Sequence, residues 1–294
     1  MLYYWTYNKE RDRCVKDLPN VNEFSYGVKD LEQGELEEIL SGGNYDLLTD
    51  AQKDFVSVMA RYIYEQVNNQ GNKYITFQSL YDDANDFLKK EKGNLKPNNL
   101  FKKVQNLWKF DDKTVNVMAR KISNFFEKNK NYGLEMNRQE GNPIKDANIH
   151  EGINIIQLNF DSEAMQRMVF SAVLRRLLER QDGSDRFDNV LIFVDELNKF
   201  APRNESSPIK NSIIDIAARA RSRNVGLIGA QQFASQVDEQ VYGNAATYVI
   251  GNTDDAELKN EEYRKFSDLR SLIPGLSQGE AVIYQPASYS SPIK

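Results

Sequence analysis

From residue 153 onward short apolar runs alternate with amphipathic stretches, and few folds accept that pattern. INIIQLNF (153–160) reads as a strand, SEAMQRMVFSAVLRRLLERQ as a helix, NVLIFVDEL as a strand, SPIKNSIIDIAARARSR as a helix and VGLIGAQQF as a strand. A short helix near 236–243, a strand TYVIGN (247–252), a helix in DAELKNEEYRKFSDL and a final strand pair around Gly279 to Tyr284 follow. Strands apolar on both faces, separated by helices, predict an α/β protein with a mostly parallel sheet and helices on both faces. Such sheets bind ligands beyond the carboxyl ends of their strands. Asp195 and Glu196 close one apolar run there, and Gln231 and Gln232 close another.

Residues 45–150 follow a helical rhythm instead. Thr49 and Gln52 have the spacing of a capping box, and Phe55, Val58, Met59, Tyr62 and Ile63 repeat at helical intervals behind them. Thr76 can cap FQSLYDDANDFLKK, and Asp111 or Asp112 can cap KTVNVMARKISNFFEK. Trp108, Phe125 and Phe126 are expected in the core of this subdomain. GLEMNRQEGNPIKDANIHEG (133–152) reads as a linker.

Composition narrows the class of protein. The chain of 294 residues carries a net charge of −5, so its total charge demands no nucleic-acid partner. Only 45–150 is basic, with 17 Lys and Arg against 14 Asp and Glu, although a ring can still grip DNA through a few cations per subunit. A single cysteine, Cys14, excludes an internal disulfide, and a single histidine, His150, argues against a structural zinc site. No run approaches the roughly 20 apolar residues that a bilayer requires, so a cytoplasmic protein without membrane contact is expected.

A strand that ends in two acids is the Walker B pattern of nucleotide hydrolases. Asp195 would hold Mg²⁺, usually through water, and Glu196 would polarise the attacking water. Gln231 could donate to a phosphate oxygen and accept from a water, as a γ-phosphate sensor must. Arg219, Arg221 and Arg223 cluster at the end of the preceding helix. They either complement the helix dipole or supply an arginine finger to a neighbouring subunit's nucleotide. The loop NKFAPRNESSPIK brings Lys199, Arg203 and Lys210, which are either ordinary solvated side chains or contacts to a DNA backbone. Arg175, Arg176 and Arg180 are expected on a surface or between subunits.

VLIFVDELNKFAP, IAARARSRNVGLIGAQQFASQVDEQVYGNAATYVIGNTDDAEL and LRSLIPGLSQGEAVIYQP resemble the C-terminal half of HerA-type ATPases, hexameric DNA translocases of the RecA-like class related to FtsK. PNVNEFSYGVKDL and the helical region fit the same family. The resemblance implies an incomplete RecA-like P-loop NTPase core with an inserted helical subdomain. Residues 1–44 would be a remnant of the N-terminal part of that core, 45–150 the helical insertion, and 151–294 the C-terminal part. It also implies ATP and Mg²⁺ as cofactors, Asp195 and Glu196 as the Walker B pair, Gln231 as sensor and Arg221 as a finger acting in trans, with Arg219 and Arg223 as substitutes. The expected assembly is a homohexamer on DNA, with a NurA-type nuclease in end resection or another effector in phage defence.

One departure from the family pattern stands out. No Gly-rich loop ending in Gly-Lys-Ser/Thr is present: Ser41-Gly42-Gly43 has no following lysine, and Gly71-Asn72-Lys73 is a polar turn. The chain is therefore expected to be a C-terminal piece of a larger ATPase, a split subunit, or a degenerate homologue inactive alone. In the last case it would serve as a non-catalytic ring scaffold that recruits an effector. A DNA-pumping ATPase of the conjugation kind shares the core and ranks lowest.

Overall fold

The structure, a computed structural model, describes residues 2–5, 21–89, 95–130, 133–144, 149–158, 160, 162–206 and 208–285. Cys14 and the side chains of Arg219 and Arg221 lie outside the described parts. The chain forms two compact units, Met1–Phe187 with Ser207–Ile209, and Asp188–Ser206 with Lys210–Lys294.

In the first unit β1 (Leu2–Trp5) lies between β2 (Val21–Glu23) and β3 (Asn154–Ile156), parallel to both. Among the described residues six α-helices accompany this sheet: α1 (Gln33–Leu40), α2 (Asp50–Tyr64), α3 (Phe77–Leu88), α4 (Leu100–Trp108), α5 (Asp112–Asn129) and α6 (Glu163–Asp182). Their starts are chemically marked. The Thr49 hydroxyl accepts from Gln52 N at 3.4 Å while the Gln52 amide accepts from Thr49 N at 3.2 Å. Thr76 accepts from Ser79 N at 3.1 Å, and Asp111 accepts from Thr114 N at 2.9 Å. Those backbone N–H groups would otherwise be orphaned at the helix ends. The Thr114 N–H also holds the Asp111 carboxyl below the usual carboxylate range.

Apolar stripes of α2 to α5 meet in a closed core. Phe55, Phe77, Phe87, Phe101 and Phe126 are fully buried, and the Phe101 ring lies 6.1 Å from Phe55 and 6.0 Å from Phe87. Trp108 departs from the core expectation. Placed in the last turn of α4, it is 39% exposed, with its ring T-shaped to Tyr62 at 5.9 Å.

Helix α6 is buried around most of its circumference, polar residues included. Arg167 donates to buried Glu38 at 2.9 Å, and Arg175 reaches Glu35 at 3.2 Å. Burial pushes the Glu35 carboxyl up, and the Arg175 guanidinium pulls against that shift. Arg180 bonds the Ile149 carbonyl and Asp185 and sits 3.9 Å over the Phe187 ring. The surface placement expected of Arg175 and Arg180 is thus corrected: each is tied inside the unit by partners distant or adjacent in sequence.

The expected linker is also pinned in its described part. Tyr26 N donates to Gly133 O, Glu135 N to Tyr26 O, and Ser25 N to Asn142 O. Gly27 makes this approach possible, because a Cβ there would fall 2.1 Å from Gln139 O. His150 is exposed in the loop before β3.

The second unit begins with β4 (Val190–Val194), which pairs in parallel with β5 (Val225–Gly229). α7 (Pro208–Arg219) and a 3₁₀ turn, Ala220–Arg223, connect them. Beyond α8 (Glu239–Gly243), β6 (Tyr248–Ile250) pairs antiparallel with β7 (Val282–Tyr284). The helix expected in DAELKNEEYRKFSDL forms as two 3₁₀ segments, Glu257–Lys259 and Glu261–Leu269. Leu258, Tyr263, Phe266, Ile273, Leu276 and Val282 build a small core there. The Lys265 ammonium lies 3.3 Å from the Tyr248 ring centroid, and burial lowers it to about 8. Among the described residues no helix is long and apolar enough to cross a membrane.

Candidate functional site

The β4–β5 register decides which residues meet. Val190 stands opposite Val225 and Val194 opposite Gly229, so both strands end at the same level. The ladder continues past them, with Ala230 N donating to Val194 O at 2.9 Å and Leu197 N to Ala230 O at 3.1 Å. Asp195 and Glu196 are thereby held beside Ala230 and Gln231.

A sharp turn presents the two carboxylates. Glu196 adopts a left-handed conformation, φ 53° and ψ 50°, which costs a non-glycine residue about 1 kcal/mol. Two contacts hold it: Glu196 N donates to Asp195 Oδ1 at 3.0 Å, and buried Leu197 anchors the next residue. Gly229 makes room for that anchor, since a Cβ there would lie 2.3 Å from Leu197 Cδ2. Both carboxylates emerge exposed at the sheet end, with Glu196 Oε2 at 2.5 Å from Lys199 Nζ.

Gln231 contributes the complementary feature. Its Oε1 is buried and receives no hydrogen bond from any described protein group. Such an acceptor costs about 1–3 kcal/mol unless a water or ligand satisfies it. It therefore marks where a donor belongs.

Arg221 is placed differently. Its backbone lies in the turn that enters β5, whereas Gln231 follows the exit of that strand. At about 3.3 Å per residue the five-residue strand separates them by roughly 16 Å. The fold does not bring Arg221 to the carboxylates of its own chain. Arg223, half-buried, has partners within the chain.

The loop cations have structural work. Arg203 pairs with Glu239 at 2.6 Å and with Glu262, and also donates to Ser235 O. Lys210, only 8% exposed, pairs with Asp238 at 2.8 Å and donates to the Arg203 and Glu205 carbonyls. Sequence reasoning missed Asp238, Glu239 and Glu262, although their spacing from the loop carried no signal of proximity. With Lys199 on Glu196, a DNA-contacting role for Lys199, Arg203 and Lys210 requires these partners to let go.

The donor set can be compared with its expected cofactors. Among the described residues no group of three or more His, Cys, Asp or Glu is arranged to hold a metal. Mg²⁺ that accompanies a nucleotide keeps several waters and takes one or two carboxylates plus phosphate oxygens. Asp195 fits as such a ligand. The phosphate cradle has no counterpart in this sequence.

Comparison with known proteins adds family membership to this geometry. The family model described as "Helicase HerA, central domain" matches residues 3–177, more than half of the chain and ending before Asp195. No curated protein matches the chain. Similar solved structures include the genome packaging NTPase B204 from Sulfolobus turreted icosahedral virus 2 in complexes with AMP, ATP-gammaS and AMPPCP. They are 16%, 15% and 16% identical, with TM-scores of 0.35, 0.34 and 0.35 over 46% of this chain. The chain spans 62%, 62% and 63% of the lengths of those structures.

Proposed function

Because the chain belongs to the family of the HerA helicase central domain, we propose that Asp195, Glu196 and Gln231 are the metal-and-water side of an ATP-hydrolysing site in a DNA-translocating ring. The observation that carries this reading is the shared strand end, where two exposed carboxylates stand beside a glutamine with a buried, unpartnered acceptor. Asp195 would take the Mg²⁺ through water, Glu196 would accept hydrogen bonds from the attacking water, and Gln231 would orient that water against the γ-phosphate. Bound Mg²⁺ supplies charge neutralisation of the phosphates. Lys199 occupies Glu196 Oε2 and leaves Oε1 to accept from the attacking water.

The backbone of Arg221 lies at the opposite end of β5 from Gln231, a placement compatible with a finger acting in trans. A homohexamer is the assembly such a finger fits. DNA is the proposed substrate, and a NurA-type nuclease or a defence effector the proposed partner. A segment outside these residues would supply the phosphate loop.

A second reading is favoured by one observation, the missing Gly-Lys-Ser/Thr loop: a ring scaffold that recruits an effector without turnover. Two measurements separate the readings. In the ATPase reading Asp195→Ala abolishes Mg²⁺-dependent tightening of ATP binding in the protein that carries its phosphate loop. Mixing Arg221→Ala subunits with Glu196→Gln subunits then restores part of the hydrolysis at mixed interfaces. Magnesium-independent binding and no recovery at any mixing ratio would support the scaffold.

A further inference from the structure

The buried Oε1 of Gln231 receives no hydrogen bond from a described protein group, so that oxygen does not fix the side chain. Its place is set by the backbone on either side. Upstream, Ala230 N donates to Val194 O at 2.9 Å and Ala230 O accepts from Leu197 N at 3.1 Å. Downstream begins the 3₁₀ turn Ala234–Gln236, whose N-cap, Phe233, offers no side-chain acceptor to its first N–H groups. A segment distant in sequence takes them instead: Ala234 N donates to Tyr263 Oη at 3.2 Å, and Ser235 N to Glu257 Oε1 at 3.1 Å. Only Gln231, Gln232 and Phe233 lie between the two pins.

The downstream pin is chemically particular. Glu257 is buried, and its Oε2 accepts from Ser235 Oγ and from Asn260 Nδ2, each at 2.9 Å. Three donors thus meet two oxygens, which suits a carboxylate, because an amide there would turn an NH₂ group toward the Asn260 NH₂. Tyr263 is buried in the small core of this unit with its hydroxyl at the turn. Burial pushes that hydroxyl up to about 12, with the Glu257 carboxylate adding to the shift, so it stays neutral near pH 7 and keeps a lone pair for Ala234 N.

We propose that Glu257 and Tyr263 are positioning residues for Gln231, fixing the loop that holds it at the strand end and acting through that loop rather than on the nucleotide. This rests on the reading of Gln231 as the group that orients the attacking water. Such a group must be held closely, since a displacement of about 1 Å costs on the order of a hundredfold in rate. Asp195 and a phosphate loop would hold Mg²⁺ and ATP, so a released Gln231 slows the chemical step without weakening binding.

Tyr263→Phe tests this, because it removes the acceptor for Ala234 N and keeps the ring in its core. Tyr248→Phe is the structural control: it deletes a hydroxyl that donates to Tyr242 O at 2.9 Å beside the same core. In this chain, faster exchange of the Ala234 amide and a moved Gln231 side-chain NH₂ resonance are expected in Tyr263→Phe and not in Tyr248→Phe. In the protein that carries its phosphate loop, Tyr263→Phe should lower kcat about tenfold with KM unchanged, and Glu257→Ala by more. Glu257→Gln, which keeps an acceptor for Ser235 N, should recover part of that loss, and Tyr248→Phe should leave kcat unchanged. An unmoved Gln231 resonance in Tyr263→Phe, a raised KM at unchanged kcat, or an equal kcat loss in Tyr248→Phe overturns the proposal. Undiminished turnover in Glu196→Gln would instead sink the ATPase reading, and the resonances of this chain would still decide whether Tyr263 fixes Gln231.

Discussion

Phe101 and Phe193 are the same residue type in two differently finished parts of the molecule. Phe101 is fully buried where stripes of α2 to α5 face inward, whereas Phe193 on β4 is 66% exposed and Leu191, two residues earlier, 69%. A helix has one apolar stripe, and a few helices can close their stripes on one another. A pair of parallel strands has two faces, and an all-parallel sheet is stable only with both covered. The apolar face of β4 thus reads as a surface made to be covered, and the helical core as one that needs nothing more.

That contrast is testable by substitution. Phe101→Ala should cost about 4 kcal/mol through the cavity it leaves, measured by urea denaturation, and Phe193→Ala less than about 0.5. Equal losses would break the comparison. Glu38→Ala, which takes the nearest carboxylate from the buried Arg167 guanidinium, should cost about 3 kcal/mol. In the second unit Gly229→Ala should cost about 2 kcal/mol by forcing Leu197 aside. It should also disturb the Glu196 turn, visible as a lost Leu197 amide protection. Thr76→Ala, which removes one cap from α3, should cost about 1 kcal/mol in thermal melts.

The smallest effect is one of pH. Lys265 titrates near 8 in the fold because burial disfavours its charge, below its usual 10.5. Between these values the unfolded chain holds a proton that the folded one has released, so this side chain makes stability rise with pH across that window. Falling pH removes that contribution as the folded pKa is passed. Titration of the Lys265 Cε resonance checks it, and a midpoint near 10.5 would show an unburied ammonium.

Local signals were legible in the sequence. Thr49, Thr76 and Asp111 cap the helices they precede, since a cap and its N–H partner lie within three residues of each other. The alternation around NVLIFVDEL and VGLIGAQQF likewise predicted β4 and β5, and with them the meeting of Asp195, Glu196 and Gln231. Pairings across long separations were not legible. Arg175 and Glu35, Arg203 and Glu262, and Tyr26 with the 133–142 segment find each other only through tertiary packing. The same limit explains DAELKNEEYRKFSDL. Its helical periodicity was real, but packing around Tyr263 and Phe266 bends it into 3₁₀ segments, with Phe266 itself leaving helical geometry.

Glu196 is proposed to activate water at a nucleotide held partly by Asp195. The most direct test is Glu196→Gln in the protein that carries its phosphate loop, with steady-state ATP turnover and ATP affinity measured on the same sample. Turnover should fall by about a hundredfold or more with affinity unchanged, because only the base is removed. Undiminished turnover in that variant would contradict that role.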